Sequence, residues 1–204
     1  QLDPAPERGD AVYVESGAGV LQRCVLTGNG GVLSTGQLYV AGGMLGITNL
    51  LVARGTNQHG VYVAGGVVAL DQATLADNPG WGLVASAGTT TVRNAVAWGN
   101  SAGGLATGGA TVVNYTCSQE SLAGVGNRNL DPLFADRNYY HLLSRSGHYI
   151  NGYFRDGGWA LAAGSSPLID AGDPAAAFRD EPIPNGNRAN LGAYGNTAVA
   201  SRSA

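Results

Sequence analysis

Residues 61–82 read VYVAGGVVALDQATLADNPGWG, and residues 83–104 repeat the pattern as LVASAGTTTVRNAVAWGNSAGG. Each copy contains a short apolar strand, a Gly-rich corner, a second apolar strand and a turn with an Asn. Similar copies fill residues 11–127, with spacings of 26, 23, 22 and 22 residues between the starting positions Val12, Leu38, Val61, Leu83 and Leu105. A repeat of this length is typical of a solenoid, in which each repeat forms one coil.

The alternation of side chains along each copy predicts which residues form the core. In a strand such as Val61-Tyr62-Val63, the first and third side chains are expected to point inward and the middle one outward. Two further columns lie nine and twelve positions after each start: Leu21, Ile47, Leu70 and Val92, interrupted by Asn114, and then Cys24, Leu50, Ala73, Ala95 and Cys117. We expect both columns to line the interior.

A polar column lies seventeen positions after each start, where three of the five copies have Asn29, Asn78 and Asn100. Gly55 and Leu122 occupy the same position in the other two copies. An Asn amide can bond to the equivalent Asn of the next coil, and Asn tolerates left-handed turns. The column therefore predicts a partial Asn ladder at one corner.

These patterns favour one fold class over its alternatives. A coil of about 22 residues is too short for a strand–helix unit of 30 or more residues, and the L-x-x-L-x-L spacing of leucine-rich repeats is absent. We therefore predict an all-β fold, a right-handed parallel β-helix of about five coils over residues 1–127, because right-handed crossovers between parallel strands are strongly favoured.

The periodicity stops after Asn127. Residues 128–204 carry five of the nine Tyr together with turn signals such as Asp131-Pro132 and Pro184-Asn185-Gly186. So many aromatic residues would not stay solvated in a disordered tail, which predicts an irregular segment docked on the solenoid. The expected anchors are Phe134, Tyr140, Trp159 and Tyr194.

Composition excludes two classes of partner. The 204 residues carry a net charge of −3, and all 11 basic residues are Arg. There is no basic stripe of the kind that binds phosphate backbones, so we expect no nucleic-acid partner. No apolar run reaches the ~18 residues of a membrane-spanning helix, so we also expect no membrane span.

The two cysteines, Cys24 and Cys117, occupy the same column of the first and fifth copies. Four coil steps would separate them by roughly 19 Å, which exceeds the ~7 Å limit for a disulfide. We expect free, buried thiols that fill space in the core.

Four strings in the C-terminal region carry a family resemblance: NLDPLF at 129–134, YHL at 140–142, SPLIDAGDP at 166–174 and NGNRANLGAYG at 185–195. In this order, directly after the coils, they resemble the C-terminal region of bacterial right-handed parallel β-helix repeat proteins of the pectin-lyase-like superfamily. In particular, they resemble the choice-of-anchor type of secreted surface protein. The resemblance implies a secreted or cell-surface location. The family often has Asp at the position of Asn190, and no sorting helix follows Ala204, so we expect no anchor.

The outward positions of the first strands decide whether catalysis is expected. Enzymes of this fold carry clustered carboxylates, or Ca²⁺ with basic residues, on this face. Glu15 is the only charged residue among the aligned outward positions, whereas a glycoside hydrolase needs two carboxyl groups roughly 5 to 10 Å apart. We therefore assign no catalytic residue and do not expect an enzyme.

The same face carries an aromatic column, Tyr13, Tyr39 and Tyr62, on three successive coils. One interpretation is a flat stacking surface for sugar rings or a contact for a partner. The other is that stacking between coils stabilises the sheet, or that the C-terminal segment covers the rings. Tyr13, Tyr39, Tyr62 and Glu15 are the candidate ligand-binding residues.

The sequence supports a metal site less than it supports a binding surface at the aromatic column. Asp170, Asp173, Asp180 and Glu181 lie on Gly- and Pro-rich loops and could ligate calcium, but their spacing lacks the regular pattern of a calcium loop. Such residues more often cap turns or pair with Arg, here Arg179 and Arg188. His59, His141 and His148 share no metal-ligand spacing with Cys or carboxylates, so we expect no zinc and assign no metal ligand.

Two function classes follow. The first is a non-catalytic extracellular or cell-surface structural or adhesive module, self-assembling end to end. The second is a carbohydrate-active module (polysaccharide binding, lyase or hydrolase) that uses the outer strand face. Residues 1–10 are too polar and too short to cover a coil, so we expect the N-terminal end to contact further coils, the tail or another copy. The expected partners are thus the chain itself or a surface polysaccharide.

Overall fold

The computed structural model describes residues 8–31, 34–56 and 59–204, and these form an all-β structure without a helix. The fourteen strands are β1 (Arg8–Val14), β2 (Ala18–Thr27), β3 (Ser34–Val40), β4 (Met44–Ala53), β5 (His59–Val63), β6 (Val67–Ala76), β7 (Trp81–Ala85), β8 (Thr89–Arg93), β9 (Val96–Trp98), β10 (Gly103–Thr107), β11 (Ala110–Asn114), β12 (Cys117–Ser118), β13 (His148–Ile150) and β14 (Gly158–Ala160). Nothing in the described ranges is a helix that could cross a membrane.

The strands stack in parallel as a β-solenoid. One sheet has the order β1-β3-β5-β7-β10, and a second has the order β11-β8-β6-β4-β2, with β9 and β12 extending it. This confirms the predicted fold class. The solenoid makes about four turns, slightly fewer than the predicted five.

Each coil has three corners, and each corner contains a residue with positive φ. The first corner has Gly43, Gly66 and Gly88 in successive coils, and the second has Asn49, Gln72 and Asn94. The third corner has Arg54, Asp77 and Gly99.

These corners divide each coil into three sides. The first side consists of β1, β3, β5, β7 and β10; the second of residues 18–22, 44–48 and 67–71 with β8 and β11; the third of residues 24–27, 50–53 and 73–76 with β9 and β12.

Glycine is required at the first corner, as Gly66 shows. Its φ is +81°, and a Cβ there would lie 2.4 Å from the carbonyl oxygen of Gly43 in the coil before it. The backbones of neighbouring coils therefore pass too closely for any side chain.

The interior columns follow the predicted register through the first four coils. Val12, Leu38, Val61, Leu83 and Leu105 are paired in sequence, as predicted. Leu38, Val40 and Leu50 are completely buried, and Ile47, Leu70 and Val92 are nearly so. The repeat pattern thus identified the core correctly.

The prediction was wrong by one residue on the second and third sides of the last coil. Val113, not Asn114, pairs with Val92, and Asn114 pairs with Arg93. The cause is a shorter first corner, since six positions separate Leu83 from Thr89 but only five separate Leu105 from Ala110. Because side chains alternate, a slip of one residue reverses the face of each side chain.

This slip corrects the placement of Cys117. Cys117 pairs with Val96 and therefore does not share the column of Cys24, which pairs with Leu50. Its buried side chain packs under the C-terminal segment with Leu142 and Leu168, outside the coil interior. Both cysteines are free, as predicted, but only Cys24 contributes to the interior core, where it is partly buried.

The predicted Asn ladder exists at the third corner. Asn78 Nδ2 donates to Asn100 Oδ1 at 2.9 Å, and Gln37 Nε2 donates to Asn78 Oδ1 at 2.9 Å. Asn29 Nδ2 donates in turn to Gln37 Oε1 at 2.9 Å, so Gln37 fills the gap at Gly55. At the other end the backbone N–H of Asn100 donates to Gln119 Oε1. The ladder therefore spans the solenoid with two glutamines that the repeat alignment did not identify.

The two ends of the solenoid differ. Residues 119–128 close the last coil: Leu122 packs against the interior, and Asn127 Nδ2 donates to Val113 O. In the first coil, Val14 and Leu26 are only partly buried, whereas their partners Val40 and Val52 are completely buried. Residues 1–7, which contain most of the segment that we judged too short to cap a coil, lie outside the described residues.

The rest of the C-terminal segment packs on the third side. Tyr140 and Tyr194 are buried against Leu51, Ala53 and Ala76, with Phe134 partly buried beside them. Trp159 was wrongly predicted as an anchor. It is 39 % exposed and lies under the guanidinium of Arg202.

Polar residues of the second corner bind the C-terminal segment to the coils. Asn49 Nδ2 donates to the carbonyl oxygens of Ala193 and Gly195 at 2.8 and 2.9 Å. Asn94 Oδ1 accepts the backbone N–H of Asp173 at 2.7 Å. These bonds satisfy buried amides that would otherwise destabilise the fold, and they fix the segment in register with the coils.

Candidate functional site

The first side carries the predicted aromatic column. Tyr13, Tyr39 and Tyr62 are the outward residues of β1, β3 and β5, and they are directly paired across the sheet. Their ring centroids are 5.7 Å apart for the first pair and 5.4 Å for the second, with interplanar angles of 19° and 4°. The structure therefore brings the three tyrosines together as one tyrosine ladder.

The ladder continues at one end with a residue that the sequence analysis assigned no role. The imidazole of His59 stacks on Tyr62 with a centroid distance of 5.8 Å and an angle of 27°. His59 Nδ1 accepts the backbone N–H of Trp81 at 2.9 Å, and burial lowers the pKa of His59, which favours the neutral ring that this bond requires. The alternation of side chains gave no signal for this contact, because residues three apart in a strand are expected to point to opposite faces.

The stacking changes what the ladder can offer a ligand. Tyr39 has Tyr13 on one face and Tyr62 on the other, and Tyr62 lies between Tyr39 and His59. Rings in offset stacks cover much of each other's π-faces. A ligand on this side would therefore contact ring edges and phenol groups rather than the open, flat platform that the sequence suggested.

Glu15 lies two residues after Tyr13, in the exposed turn between β1 and β2. Beyond the ladder, the outward residues of β7 and β10 are the partly buried Val84 and Ala106. The candidate face is thus aromatic at its N-terminal half and apolar at its C-terminal half, with one carboxylate at its edge.

The apolar clusters of the C-terminal segment lie on a different side of the solenoid from the ladder. Among the described residues, they include Leu51, Ala53, Ala76 and Val96 of the third side and none of the first side. These clusters therefore do not support the explanation that the C-terminal segment covers the rings. Stacking between coils and ligand contact remain as the other two explanations of the tyrosine column.

The acidic residues considered for calcium have structural roles instead. Asp173 caps a turn through the N–H of Ala175 at 2.9 Å and pairs with Arg93 at 3.5 Å. Arg188, predicted as an acid partner, donates to the carbonyl oxygens of Gly172 and Ala171. Within the described ranges, no three His, Cys, Asp or Glu side chains are placed to hold a metal ion.

Glu181 is the most unusual of these acids. Its side chain is buried, and Oε1 accepts the backbone N–H groups of Asn190 and Asn196, both at 2.8 Å. Oε2 is buried without a described hydrogen-bond partner. Burial raises the pKa of Glu181 to about 7, with a smaller contribution from the nearby Asp170, and the two hydrogen bonds oppose the shift.

The two remaining histidines belong to the core of the C-terminal segment. His141 is completely buried and stacks on Tyr194 with centroids 3.7 Å apart. Its Nε2 lies 2.9 Å from the carbonyl oxygen of Gly152, and burial lowers the pKa of His141 to about 4. His148 is also buried, next to Ser144. Both therefore serve packing within this segment.

No family model, curated protein or solved structure matches this chain. The structure thus establishes the fold, and the case for function depends on the surface described above.

Proposed function

We propose that this chain is a non-catalytic extracellular or cell-surface β-helix module with a structural or adhesive role, and that the tyrosine ladder with Glu15 is its contact surface. The observation that carries the proposal is the position of the ladder. The C-terminal segment packs on the third side, while the side with the tyrosines has no apolar cluster over it in the described structure.

The chemistry of this surface favours recognition of an extended partner. Tyr combines an apolar ring with a hydroxyl group and loses little conformational entropy on binding. The parallel strands fix the rings at 5.4 to 5.7 Å intervals along the solenoid axis. A partner lying along this axis would meet a preorganised row of identical groups, which lowers the entropic cost of binding.

The C-terminal strings support the proposed location. The segments SPLIDAGDP at 166–174 and NRANLGAYG at 187–195 resemble those of secreted, choice-of-anchor β-helix proteins of the pectin-lyase-like superfamily. Proteins of that type are secreted or lie at the cell surface, where contacts with polysaccharides or other proteins are expected.

A second part of the proposal concerns assembly. The partly exposed interior of the first coil, at Val14 and Leu26, is an apolar surface that another copy of the chain could cover. Residues 119–128 close the opposite end. A pair of molecules joined through their first coils is therefore favoured over an open, head-to-tail filament, which would need two complementary open ends.

The alternative function is a carbohydrate-active module, favoured by the combination of Tyr13 and Glu15 on one exposed face. A panel of neutral and acidic polysaccharides, tested with the purified chain for binding and for release of unsaturated or reducing ends, separates the two. Binding without cleavage that depends on the ladder supports the adhesive module. Release of new chain ends would overturn it.

A further inference from the structure

A cleft separates the first coil from one strip of the C-terminal segment. It is open, measures about 610 Å³, and has Arg23 and Val25 of the first coil on one wall. The opposite wall is formed by Tyr139, Asn151, Tyr153 and Phe154. The cleft lies on the third side and is built from different residues than the tyrosine ladder.

The cleft exists because the C-terminal segment contacts the first coil less closely than it contacts the coils that follow. In the second coil, Asn49 donates to the backbone of Ala193 and Gly195 and holds the segment against the sheet. The first coil has Arg23 at the equivalent corner, and this side chain is exposed. The long guanidinium side chain therefore lines a gap where the other coils have a direct contact.

The aromatic wall is held rigidly in place. The rings of Tyr139 and Tyr153 meet edge to face with centroids 5.0 Å apart, and Phe154 packs on Tyr194 at 5.1 Å. The backbone of Tyr139 is fixed on both sides, because its N–H donates to Asp136 Oδ1 and its carbonyl oxygen accepts the Tyr194 hydroxyl. A ligand would not have to order this wall on binding.

Several polar groups of the cleft have no protein partner. Within the described structure, Arg23 pairs with no carboxylate, while Arg155 at the rim is paired with Asp156 at 3.3 Å. The hydroxyls of Tyr139 and Tyr153 and the amide of Asn151 likewise bond to no described residue, and none of them is a buried orphan. These groups belong to residues that line the open cleft, in contrast to the bonded polar residues elsewhere along the segment.

Arg23 also occupies a position that suits other residues better. Its φ is 52°, and the equivalent residues Asn49, Gln72 and Asn94 have φ values of 56°, 51° and 51°. Asn adopts this left-handed conformation more readily than Arg. Arg54 has a φ of 51° at the third corner, so the solenoid also accepts Arg in this conformation.

We propose that this cleft binds an anionic sugar unit of a glycan. An unpaired guanidinium can form two parallel hydrogen bonds to a carboxylate or sulfate group. The edges of Tyr139 and Tyr153 contact the apolar C–H surface of the sugar, while their hydroxyls and the Asn151 amide bond to its hydroxyl groups. Ligand sites of this kind combine apolar walls with a few convergent polar groups.

The test measures binding by calorimetry to three short oligosaccharides of equal length: one with glucuronic acid units, one with sulfated units and one neutral. The proposal expects the full chain to bind a charged oligosaccharide, carboxylated or sulfated, and to prefer it at least tenfold over the neutral one. Arg23→Asn, which installs the residue of the next coil, should weaken that binding about tenfold or more. Tyr153→Phe should weaken it by less, since it removes a single hydroxyl.

A matched variant makes the result specific to the cleft. Arg145→Asn removes an exposed charge elsewhere on the C-terminal segment and should leave binding unchanged. Arg23 and Tyr153 both lie outside the tyrosine ladder, so the outcome of this test is independent of the function proposed for the first side. Equal binding by the wild type and Arg23→Asn, equal binding of neutral and charged oligosaccharides, or no binding of either charged probe at about 10 mM would each overturn the proposal.

Discussion

Asn78 and Asn100, 22 positions apart in the chain, are joined directly in space: Asn78 Nδ2 donates to Asn100 Oδ1 at 2.9 Å, and both side chains are buried. Asn78 Oδ1 in turn accepts from Gln37 Nε2 and from the backbone N–H of Gly55. One amide therefore links three coils, with each of its polar atoms used. This arrangement turns a repeated sequence position into a continuous polar seam along the solenoid.

We expect Asn78→Ala to destabilise the protein strongly. The substitution would remove the four side-chain hydrogen bonds of Asn78, which join it to Gln37 Nε2, the N–H of Gly55, Val52 O and Asn100 Oδ1 and contribute about 0.5 to 1.5 kcal/mol each. The free energy of unfolding, measured by urea denaturation, should fall by about 3 kcal/mol or more. Asn29→Ala, at the partly buried end of the ladder, is the control and should cost about 1 kcal/mol. Equal effects of the two substitutions would contradict a cooperative ladder.

The interior columns give a second prediction. Leu50 is completely buried in the second coil, between its sheet partners Cys24 and Ala73. Leu50→Ala should lower the free energy of unfolding by about 2 to 5 kcal/mol, because close neighbours on all sides prevent the cavity from collapsing. Leu161→Ala, at a side chain that is 75 % exposed, should change it by no more than about 0.5 kcal/mol. A similar loss of unfolding free energy in both variants would contradict the assignment of Leu50 to the core.

The burial of Leu50 was predictable because the repeat fixes both the period and the alternation of side chains. The prediction failed at Asn114, where one residue is missing from a corner and the register shifts by one position. The partners of Asn49 were beyond sequence reasoning, since its amide bonds to Ala193 and Gly195, more than 140 positions away. Repetition thus predicts contacts between coils, while contacts with the non-repeating segment depend on three-dimensional packing.

The difference between the repeated coils and the non-repeating segment also explains which features of the candidate site could be predicted from the sequence. The column of Tyr13, Tyr39 and Tyr62 followed from the repeat and is confirmed as a column. That the rings lie face to face depends on side-chain rotamers, which a repeat pattern does not specify. The cleft at Arg23 depends on where the C-terminal segment departs from the first coil, and no local sequence signal marks that point.

Glu181 predicts a pH dependence of stability. Its pKa in the folded protein is raised to about 7 from an ordinary value of 4.5, so the folded state binds the proton more tightly than the unfolded state. The stabilisation is therefore fully present below pH 4.5 and is lost as the pH rises through 7. From the size of the shift, the loss should amount to about 3 kcal/mol.

The measurement compares the wild type with Glu181→Gln, which keeps the size of the side chain and an oxygen for the two backbone N–H groups. The difference in unfolding free energy between the two proteins should move by about 3 kcal/mol in favour of the variant from pH 4.5 to pH 8. All other titrating groups, His141 included, are common to both proteins and cancel. If the difference in unfolding free energy between the two proteins does not change with pH, the pKa of Glu181 is not raised in the folded protein.

The tyrosine ladder can be tested separately for stability and for binding. Tyr39→Ala removes two ring stacks, each worth about 0.5 to 1.5 kcal/mol, and should lower both stability and polysaccharide binding. Tyr62→Phe, at the next ring of the ladder, keeps its stacks on Tyr39 and His59 and removes only a hydroxyl, so it should preserve stability while weakening binding. Val84→Ala, on the fourth strand of the same side, is the control and should leave binding unchanged. If Tyr39→Ala lowers stability but binds polysaccharide as well as the wild type, the ladder is purely structural.

The partly exposed apolar residues of the first coil predict self-association. Val14 and Leu26 are partly buried there, while Val40 and Val52, their partners in the second coil, are completely buried. Covering this surface with a second copy would bury apolar area, and the closing of the last coil by residues 119–128 limits the assembly to pairs. Light scattering should therefore show a concentration-dependent dimer for the wild type and a monomer for Leu26→Asp. Val112→Asp is the control, because it adds the same charge at an exposed apolar residue of the second side, and this variant should still dimerise. A wild-type protein that stays monomeric at high concentration would exclude association through the first coil.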